Sequence, residues 1–311
     1  MAALILSDAA TRFLDHCRIA KRLSANTLRA YEIDLAQFMA HVGASRDVAE
    51  IDRDMLRRFA RHLFDGRGLK ETTVKRRMAA LKVMFRWLER DEAIELSPFH
   101  RLDLTIRLPR RLPRCLTLDE MRRLLRQTES EATGEGAGHQ AILLHFVIVC
   151  LFATGLRIGE LVGVRQADVD PEARSIAVRG KGDRERKVYL PNQHALTALT
   201  RYNAQRARLR STDDRLLLTD SGTPATAQSI RRALIALADR AAIGRRVTPH
   251  MLRHTAATQL IEAGVDIRFV QKLLGHASIA TTQIYTQVSD ASLRAVLERA
   301  DTLGRVGGGR G

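Results

Sequence analysis

Cysteine is scarce in this sequence, and its spacing excludes two ways of stabilising a small fold. Three cysteines, Cys17, Cys115 and Cys150, occur among 311 residues. Because their number is odd and they lie far apart, they predict neither a disulfide framework nor a set of metal ligands. We expect them to be buried, reduced thiols of a cytosolic protein.

Long apolar runs are also missing. The longest apolar stretch runs from Ala141 to Ala153, whereas a helix needs about 20 apolar residues to span a bilayer. The amino-terminal residues MAALILSDAA contain a brief apolar run, but no basic region precedes it as it would in a signal peptide. We therefore expect no export, no membrane insertion and a cytoplasmic location.

Acidic residues are too few to balance the basic ones. The chain has 35 Asp and Glu against 51 Lys and Arg, so that its formal net charge is +16 and its pI about 10.8. Residues 1–114 contain 23 basic and 15 acidic residues, and the remaining residues contain 28 and 20. Basic residues in both halves lie among helical apolar patterns and not in a tail. They indicate a folded surface that binds a polyanion.

The apolar patterns predict two domains that are mainly α-helical, with a small β-sheet in the second. Residues 1–107 have the helical periodicity of a compact domain. Residues 108–115 form a basic, proline-containing linker. Residues 116–301 form the second domain, and residues 302–311 are a flexible, glycine-rich tail.

Three helices are predicted in the first domain. Ser24 or Asn26 can cap the first, the second follows Asp52, and the third begins at Thr72 or Thr73. All three then carry apolar residues three and four positions apart, which predicts one buried face on each helix.

One face of the third helix is basic. It carries Lys75, Arg76, Lys82 and Arg86. A solvated surface is the ordinary explanation for such a stripe, but the basic charge of the whole chain favours contact with DNA. Arg231 and Arg232, in a later helix, are further candidate DNA contacts.

The second domain begins with a helix that Thr117 and Glu120 can start as a capping box. The polar residues 128–139 predict a surface loop. The apolar run from Ala141 to Ala153 predicts a buried helix that Gly155 ends.

Arg157 follows directly after this buried helix. An arginine at such a place costs free energy unless it is paired or employed. The local sequence leaves two explanations open, a structural ion pair with Glu160 and a site that binds an anion.

Two short alternating runs, Ser175 to Val178 and Lys187 to Leu190, predict a β-hairpin. Lys181 lies in its connection between two glycines, which let the turn approach a ligand closely. A lysine at a hairpin tip can donate a proton, although most exposed lysines there have no role.

The stretch from Thr248 to Tyr285 is the richest in reactive side chains. Pro249 suits the first turn of a helix, so His250 and Arg253 lie on one helical face near its amino end. Such an end binds phosphate well.

A second helix in this stretch ends at Gly275, directly before His276, and Tyr285 follows nine residues later. Two histidines, an arginine and a tyrosine suit phosphoryl transfer to tyrosine. That reaction needs cations on the phosphate, a base for the phenol and an acid for the leaving oxygen. His250 and His254 also have the spacing of a zinc pair, but Arg253 between them counts against a metal site.

The candidate residues, in their order along the chain, are Arg157, Lys181, His250, Arg253, His276 and Tyr285. They stand in the motifs TGLRIGEL, GKGDRERKVYLP, HMLRHTAAT and LLGHASIATTQIY, with SANTLRAYEIDLAQF nearer the amino terminus. This series resembles the active-site series of the tyrosine recombinases, also called phage integrases, and especially their Xer-like branch. The resemblance spans nearly the whole chain.

This resemblance implies a clamp around double-stranded DNA, made of a helical core-binding domain and a mixed α/β catalytic domain. Tyr285 falls on the nucleophile and Lys181 on the general acid of the hairpin. The phosphate-binding arginines and the two remaining catalytic positions fall on Arg157, Arg253, His250 and His276.

The implied reaction cleaves and rejoins DNA through a 3′-phosphotyrosine, without metal, nucleotide or other cofactor, in integration, excision or dimer resolution. Its implied partners are DNA and three further protomers, either copies of this chain or a related recombinase. The same residues would also serve a type IB topoisomerase, which relaxes DNA with one protomer. A basic architectural protein would leave all six matches to chance.

After Tyr285, Ser289 or Asp290 can cap a short helix with Leu293, Val296 and Leu297 on one face. This face could pack on its own domain. The resemblance favours exchange of the helix into a neighbouring protomer.

Overall fold

A computed structural model describes residues 3–107, 115–180, 185–190 and 192–275. These residues are mainly α-helical with one three-stranded sheet, which confirms the expected fold class. The chain divides into two compact units, Met1–Arg111 and Leu112–Gly311. Over the described residues, no helix is both long enough and apolar enough to cross a membrane.

The first unit is built from helices joined by short connections. Its helices are α1 (Leu6–Ile19), α2 (Ala25–Val42), α3 (Arg53–Arg61) and α4 (Glu71–Arg90). The Ser24 hydroxyl accepts the Thr27 N–H at 3.3 Å and caps α2, and the Asp52 carboxylate accepts the Met55 N–H at 2.7 Å and caps α3. These two helix starts were predicted correctly.

Aromatic side chains join three of these helices. The ring of Phe38 on α2 meets Phe59 on α3 and Phe85 on α4 edge to face, at centroid distances of 5.1 and 6.3 Å. All three side chains are buried. Edge-to-face pairs add about 0.5–1.5 kcal/mol each to the free energy gained by burial.

Asp34, on α2, is buried among these helices and is neutralised from α4. Arg76 donates to both of its carboxylate oxygens, and the Nε atom of Arg77 lies 3.6 Å from Oδ1. A buried carboxylate needs such partners. Arg76 therefore has a structural partner, whereas Lys75 beside it is exposed.

The first unit differs from the prediction at two places. Helix α1 was not predicted, because Ile5 precedes it and gives no side-chain cap. It nevertheless buries Leu6, Phe13 and Cys17 on one face. Helix α4 begins at Glu71, earlier than predicted, after a residue that also lacks a side-chain cap.

The second unit places helices around one buried helix and carries the sheet at its side. Its elements are α5 (Leu118–Thr133), α6 (His139–Thr154), α7 (Ile158–Leu161), β1 (Val169–Asp170), β2 (Ser175–Arg179), β3 (Glu185–Tyr189), α8 (Gln193–Arg206), α9 (Ala227–Arg240), α10 (Pro249–Glu262) and α11 (Ile267–Leu274). Helix α6 packs against α5, α8 and α10 and is buried along most of its length. Gly155, with φ of 64°, ends it as predicted.

Helix α5 begins with the predicted capping box. The Thr117 hydroxyl accepts the Glu120 N–H at 3.1 Å, and the Glu120 carboxylate accepts the Thr117 N–H at 2.7 Å.

The surface loop predicted for residues 128–139 is wrong over most of its length. Helix α5 continues to Thr133 and buries Thr128 and Ala132 on its inner face. Arg240 of α9 donates to both carboxylate oxygens of Glu131 at 2.6 and 2.9 Å and so attaches the last turn of α5 to α9. The connection before α6 is therefore confined to residues 134–138.

The sheet is antiparallel in the order β1–β2–β3. Strands β2 and β3 form the predicted hairpin, with Ile176 opposite Val188 and Val178 opposite Arg186. The short strand β1 was not predicted. Lys181, in the hairpin connection, lies outside the described residues.

The cysteines are mostly placed as expected. Cys17 and Cys150 are buried free thiols, and burial raises the pKa of Cys150 to about 12. Cys115 is half-buried, contrary to prediction, and its Sγ atom lies 3.3 Å from the Thr258 hydroxyl.

Candidate active site

Three of the six candidate active-site residues lie in the described part of the chain, namely Arg157, His250 and Arg253. Lys181, His276 and Tyr285 lie outside it. The described residues therefore include the two candidate phosphate-binding arginines and the candidate base His250.

Arg253 is built into the core of the second unit. It lies on the second turn of α10 and is 2% exposed. Its two terminal nitrogens donate to the carbonyl oxygens of Gly155 and Leu274, both at 2.6 Å. These carbonyls mark the ends of α6 and α11, where the helix dipole favours a cation. Three helices thus converge on one guanidinium.

The convergence depends on the absence of a side chain at Gly155. A Cβ atom there would lie 2.7 Å from Cδ2 of Leu274, which is closer than real Cβ contacts. Its φ of 64° also lies in the left-handed region that glycine adopts without strain. The same glycine therefore ends α6 and lets the last turn of α11 approach.

Arg157 lies at the start of α7 and is paired but not buried. Its Nη1 atom donates to Glu160 Oε1 at 2.9 Å, and its backbone N–H donates to Glu160 Oε2 at 2.9 Å. Nη1 also lies 3.4 Å from the Leu274 carbonyl oxygen, which Arg253 shares. The side chain remains 43% exposed. The ion pair with Glu160 is therefore formed, and the exposed part of the guanidinium can still contact an anion.

Arg186, on β3, is a further site residue that the sequence did not suggest. Its Nη1 and Nη2 atoms donate to the two carboxylate oxygens of Glu160 at 3.0 and 2.9 Å. The sequence does carry a signal for it. Arg186 and Val188 lie two positions apart on β3 and therefore on the same inward face, where an unpaired charge would be costly.

The Glu160 carboxyl is ionised despite its burial. Burial alone would raise its pKa, but hydrogen bonds from Arg186 and from the Arg157 N–H outweigh it and hold the pKa below its usual value. Glu160 is therefore a fixed negative charge between two arginines.

His250 lies on the first turn of α10, on the exposed side. Its Nε2 atom lies 2.7 Å from Nε2 of His254, so that one ring donates and the other accepts. Partial desolvation lowers the pKa of His250, and the charges of Arg253 and Arg157 lower it further. A neutral imidazole beside two guanidiniums can accept a proton.

The histidine pair does not extend into a metal site in the described part of the chain. No group of three His, Cys, Asp or Glu side chains lies together there as such a site would require.

Comparisons with known proteins match both units. Residues 10–92 match the N-terminal SAM-like domain of phage integrases, and residues 114–292 match the phage integrase family. The tyrosine recombinase XerD of Listeria innocua is 36% identical over 306 residues, which cover 94% of this chain and 98% of that protein. The tyrosine recombinase XerC of Roseiflexus sp. is also 36% identical and covers 92% and 91%.

Among solved structures, the integrase of the Tn1549 transposon has a similar fold, with a TM-score of 0.76. It is 22% identical, and the match covers 96% of this chain and all of that one. Family matches across both units, together with relatives at 36% identity over most of the chain, show that this protein belongs to the phage integrase family of tyrosine recombinases and is a site-specific recombinase that cleaves and rejoins DNA.

Proposed function

We propose that Arg157 and Arg253 bind the scissile phosphate of duplex DNA while Tyr285 attacks its phosphorus. The observation that carries this proposal is the convergence of both guanidiniums on the Leu274 carbonyl. That carbonyl lies two residues before His276 in the sequence. Two fixed cations can neutralise charge that develops on the non-bridging oxygens without reorganising during the reaction.

The remaining groups move protons or donate hydrogen bonds. The Tyr285 oxygen forms a bond to phosphorus, and the bond from phosphorus to the 5′ oxygen breaks. His250 accepts the phenolic proton, Lys181 gives a proton to the leaving oxygen, and His276 donates a hydrogen bond to the phosphate. The products are a 3′-phosphotyrosine and a free 5′-hydroxyl. A second 5′-hydroxyl reverses the step and joins a new strand, and no metal or nucleotide takes part.

The first unit supplies DNA contacts in this proposal. Residues 1–107 are the core-binding domain, residues 108–115 the linker, residues 116–301 the catalytic domain with its exchange helix, and residues 302–311 the tail. The basic charge in both halves supports contact with DNA, and the Tn1549 integrase structure is a complex with a circular intermediate DNA.

Exposed basic side chains are the candidate phosphate contacts. They are Lys75, Lys82, Arg86, Arg231 and Arg232. Arg76 also lies at this surface, but its main role is the structural hydrogen bond to Asp34.

The reaction takes place on two DNA sites in the cytoplasm, held by four copies of this chain or by pairs with a related recombinase. Similarity to Xer recombinases favours recombination over relaxation by a type IB topoisomerase.

The test replaces the nucleophile. Tyr285→Phe should bind DNA as the parent protein does and form no covalent adduct with a labelled suicide substrate on a denaturing gel. Tyr189→Phe is the matched control, since Tyr189 is an exposed tyrosine on β3. It should form the adduct at the parent rate, also in the presence of a chelator. An adduct with Tyr285→Phe, or strict dependence on magnesium, would overturn the proposed chemistry.

A further inference from the structure

The carboxylate of Glu160 is saturated with hydrogen-bond donors. Its four acceptor positions receive the N–H and Nη1 of Arg157 and the Nη1 and Nη2 of Arg186, all at 2.9 or 3.0 Å. The Glu160 side chain is 6% exposed, so water is not a ready substitute for any of these donors.

The two arginines differ in what they can do besides neutralising Glu160. Arg186 is 18% exposed and gives both of its terminal nitrogens to Glu160. Arg157 is 43% exposed and gives one. Arg186 therefore serves the buried carboxylate, while Arg157 keeps donors for a ligand.

Arg186 is also held in place from its other side. A Cβ atom at Gly275 would lie 3.1 Å from Cζ of Arg186, so the guanidinium packs directly against the backbone that follows α11. Its two parallel bonds to Glu160 need a planar fork, which a lysine does not have.

We propose that Arg186 is a positioning residue: by saturating Glu160, it keeps the guanidinium of Arg157 available for the scissile phosphate. Without Arg186, two acceptor positions of a buried negative charge become vacant, and Arg157 is the adjacent cation that can fill them. Its guanidinium would turn into a two-pronged bond with Glu160 and withdraw from the phosphate. This inference rests on the proposed role of Arg157.

The test compares three substrates for a single turnover of cleavage. The first is the normal phosphodiester. The second is a methylphosphonate at the scissile position, which has lost the negative charge that Arg157 neutralises. The third has a 5′-bridging sulfur, whose thiolate leaves without a proton and so removes the need for Lys181. Arg157→Ala and Lys181→Ala calibrate the second and third substrates.

Arg186→Met should cleave the phosphodiester about 30-fold more slowly, because transition-state contacts to a charged phosphate contribute strongly. Its defect should shrink to about 3-fold or less on the methylphosphonate, as for Arg157→Ala, and remain on the sulfur substrate. Arg179→Met is the matched control on the same hairpin, since Arg179 forms an exposed pair with Glu185. It should cleave all three substrates at the parent rate.

Other outcomes are distinguishable. Equal defects of Arg186→Met on all three substrates would assign it a merely structural role, and selective rescue by sulfur would place its effect on Lys181; either result overturns the inference. If Arg186→Met does not fold, Arg186→Lys keeps the charge without the fork and should show a smaller defect with the same rescue by methylphosphonate. Failure of the parent protein to form a Tyr285 adduct would instead overturn the proposed function.

Discussion

The buried guanidinium of Arg253 donates to the carbonyl oxygen of Leu274 at 2.6 Å, which joins the start of α10 to the end of α11. The same guanidinium donates to Gly155 at the end of α6. A candidate phosphate ligand therefore also joins three helices through its hydrogen bonds.

Arg253→Ala should therefore damage both stability and cleavage. Two carbonyls lose a charged donor in the core, so the free energy of unfolding should fall by about 3 kcal/mol. Arg157→Ala should cost about 1 kcal/mol or less, because Arg157 is 43% exposed and Glu160 keeps Arg186. Urea denaturation measures the difference between the two variants. If both variants lose the same small amount of unfolding free energy, the hydrogen bonds of Arg253 contribute little to stability.

The pKa of His250 gives a second prediction. Partial desolvation and the charges of Arg253 and Arg157 place it below its ordinary value of 6.5 in the DNA-free protein. Since the imidazole stays neutral until the pH falls to its lowered pKa, His250 is available as a base through neutral pH. Its ring-carbon NMR resonance should titrate below pH 6.5, assigned through its loss in His250→Asn.

Removing one of the neighbouring cations should shift this titration in a known direction. Arg157→Gln takes away a charge that disfavours the imidazolium, so the midpoint should move up. Arg179→Gln, a change at an exposed ion pair on β2, serves as control and should leave it in place. An unchanged midpoint in Arg157→Gln would mean that the Arg157 guanidinium does not act on His250.

The sequence predicted best those elements whose ends carry their own signals. Ser24, Asp52 and the Thr117–Glu120 pair mark three helix starts, and Gly155 marks the end of α6, because a cap is a local interaction. Helix α1 has no capping side chain at Ile5 and was missed. The last turns of α5 depend on Arg240, 109 residues from its partner Glu131, and no local pattern could show that bond.

The sequence named the reactive residues of the candidate site, which stay predictions, but not the groups that hold the described ones in place. Arg157, His250 and Arg253 stand in motifs, and the pairing of Arg157 with Glu160 follows from their spacing on one turn. The bonds of Arg253 to the Gly155 and Leu274 carbonyls join residues 98 and 21 positions apart. Arg186 likewise meets Glu160 only through the hairpin fold, so no local pattern could identify Glu160 as its partner.

A third prediction separates two neighbouring basic residues of α4. Lys75 is exposed and is a candidate phosphate contact, whereas Arg76 bonds to the buried Asp34. Lys75→Ala should weaken binding to all DNA sequences and reduce the slope of log affinity against log salt by about 1, with stability unchanged. Arg76→Ala should lower the free energy of unfolding by about 1–2 kcal/mol, moderated by Arg77, which also neutralises Asp34.

Fluorescence anisotropy over a range of salt concentrations, together with urea denaturation, measures both effects. Arg86→Ala, at another exposed position of the same helix, is the second test of the surface and should behave like Lys75→Ala. If Lys75→Ala and Arg86→Ala both keep the parent affinity and salt slope, the basic face of α4 is a solvated surface and not a DNA contact.

The last prediction concerns assembly. Residues 289–311 lie outside the described residues, and their sequence predicts a capped helix with Leu293, Val296 and Leu297 on one face. We propose that this helix docks into a neighbouring protomer on DNA. Because it follows Tyr285 closely, its docking would couple the position of one nucleophile to the state of the next protomer. A helix that packed on its own domain would give no such coupling.

Deletion of residues 289–311 should therefore leave binding to a single site nearly unchanged and reduce the joining of two sites and recombination by at least about 10-fold, since a coupling of 1.4 kcal/mol corresponds to that factor. Deletion of residues 302–311 alone removes the glycine-rich tail and keeps the helix, so it is the matched control and should recombine normally. Gel shift on one site, sedimentation with two sites and a recombination assay measure the three steps. If the longer deletion also recombines at the parent rate as a tetramer, the helix does not join the protomers. If it loses single-site binding as well, the helix instead supports its own domain.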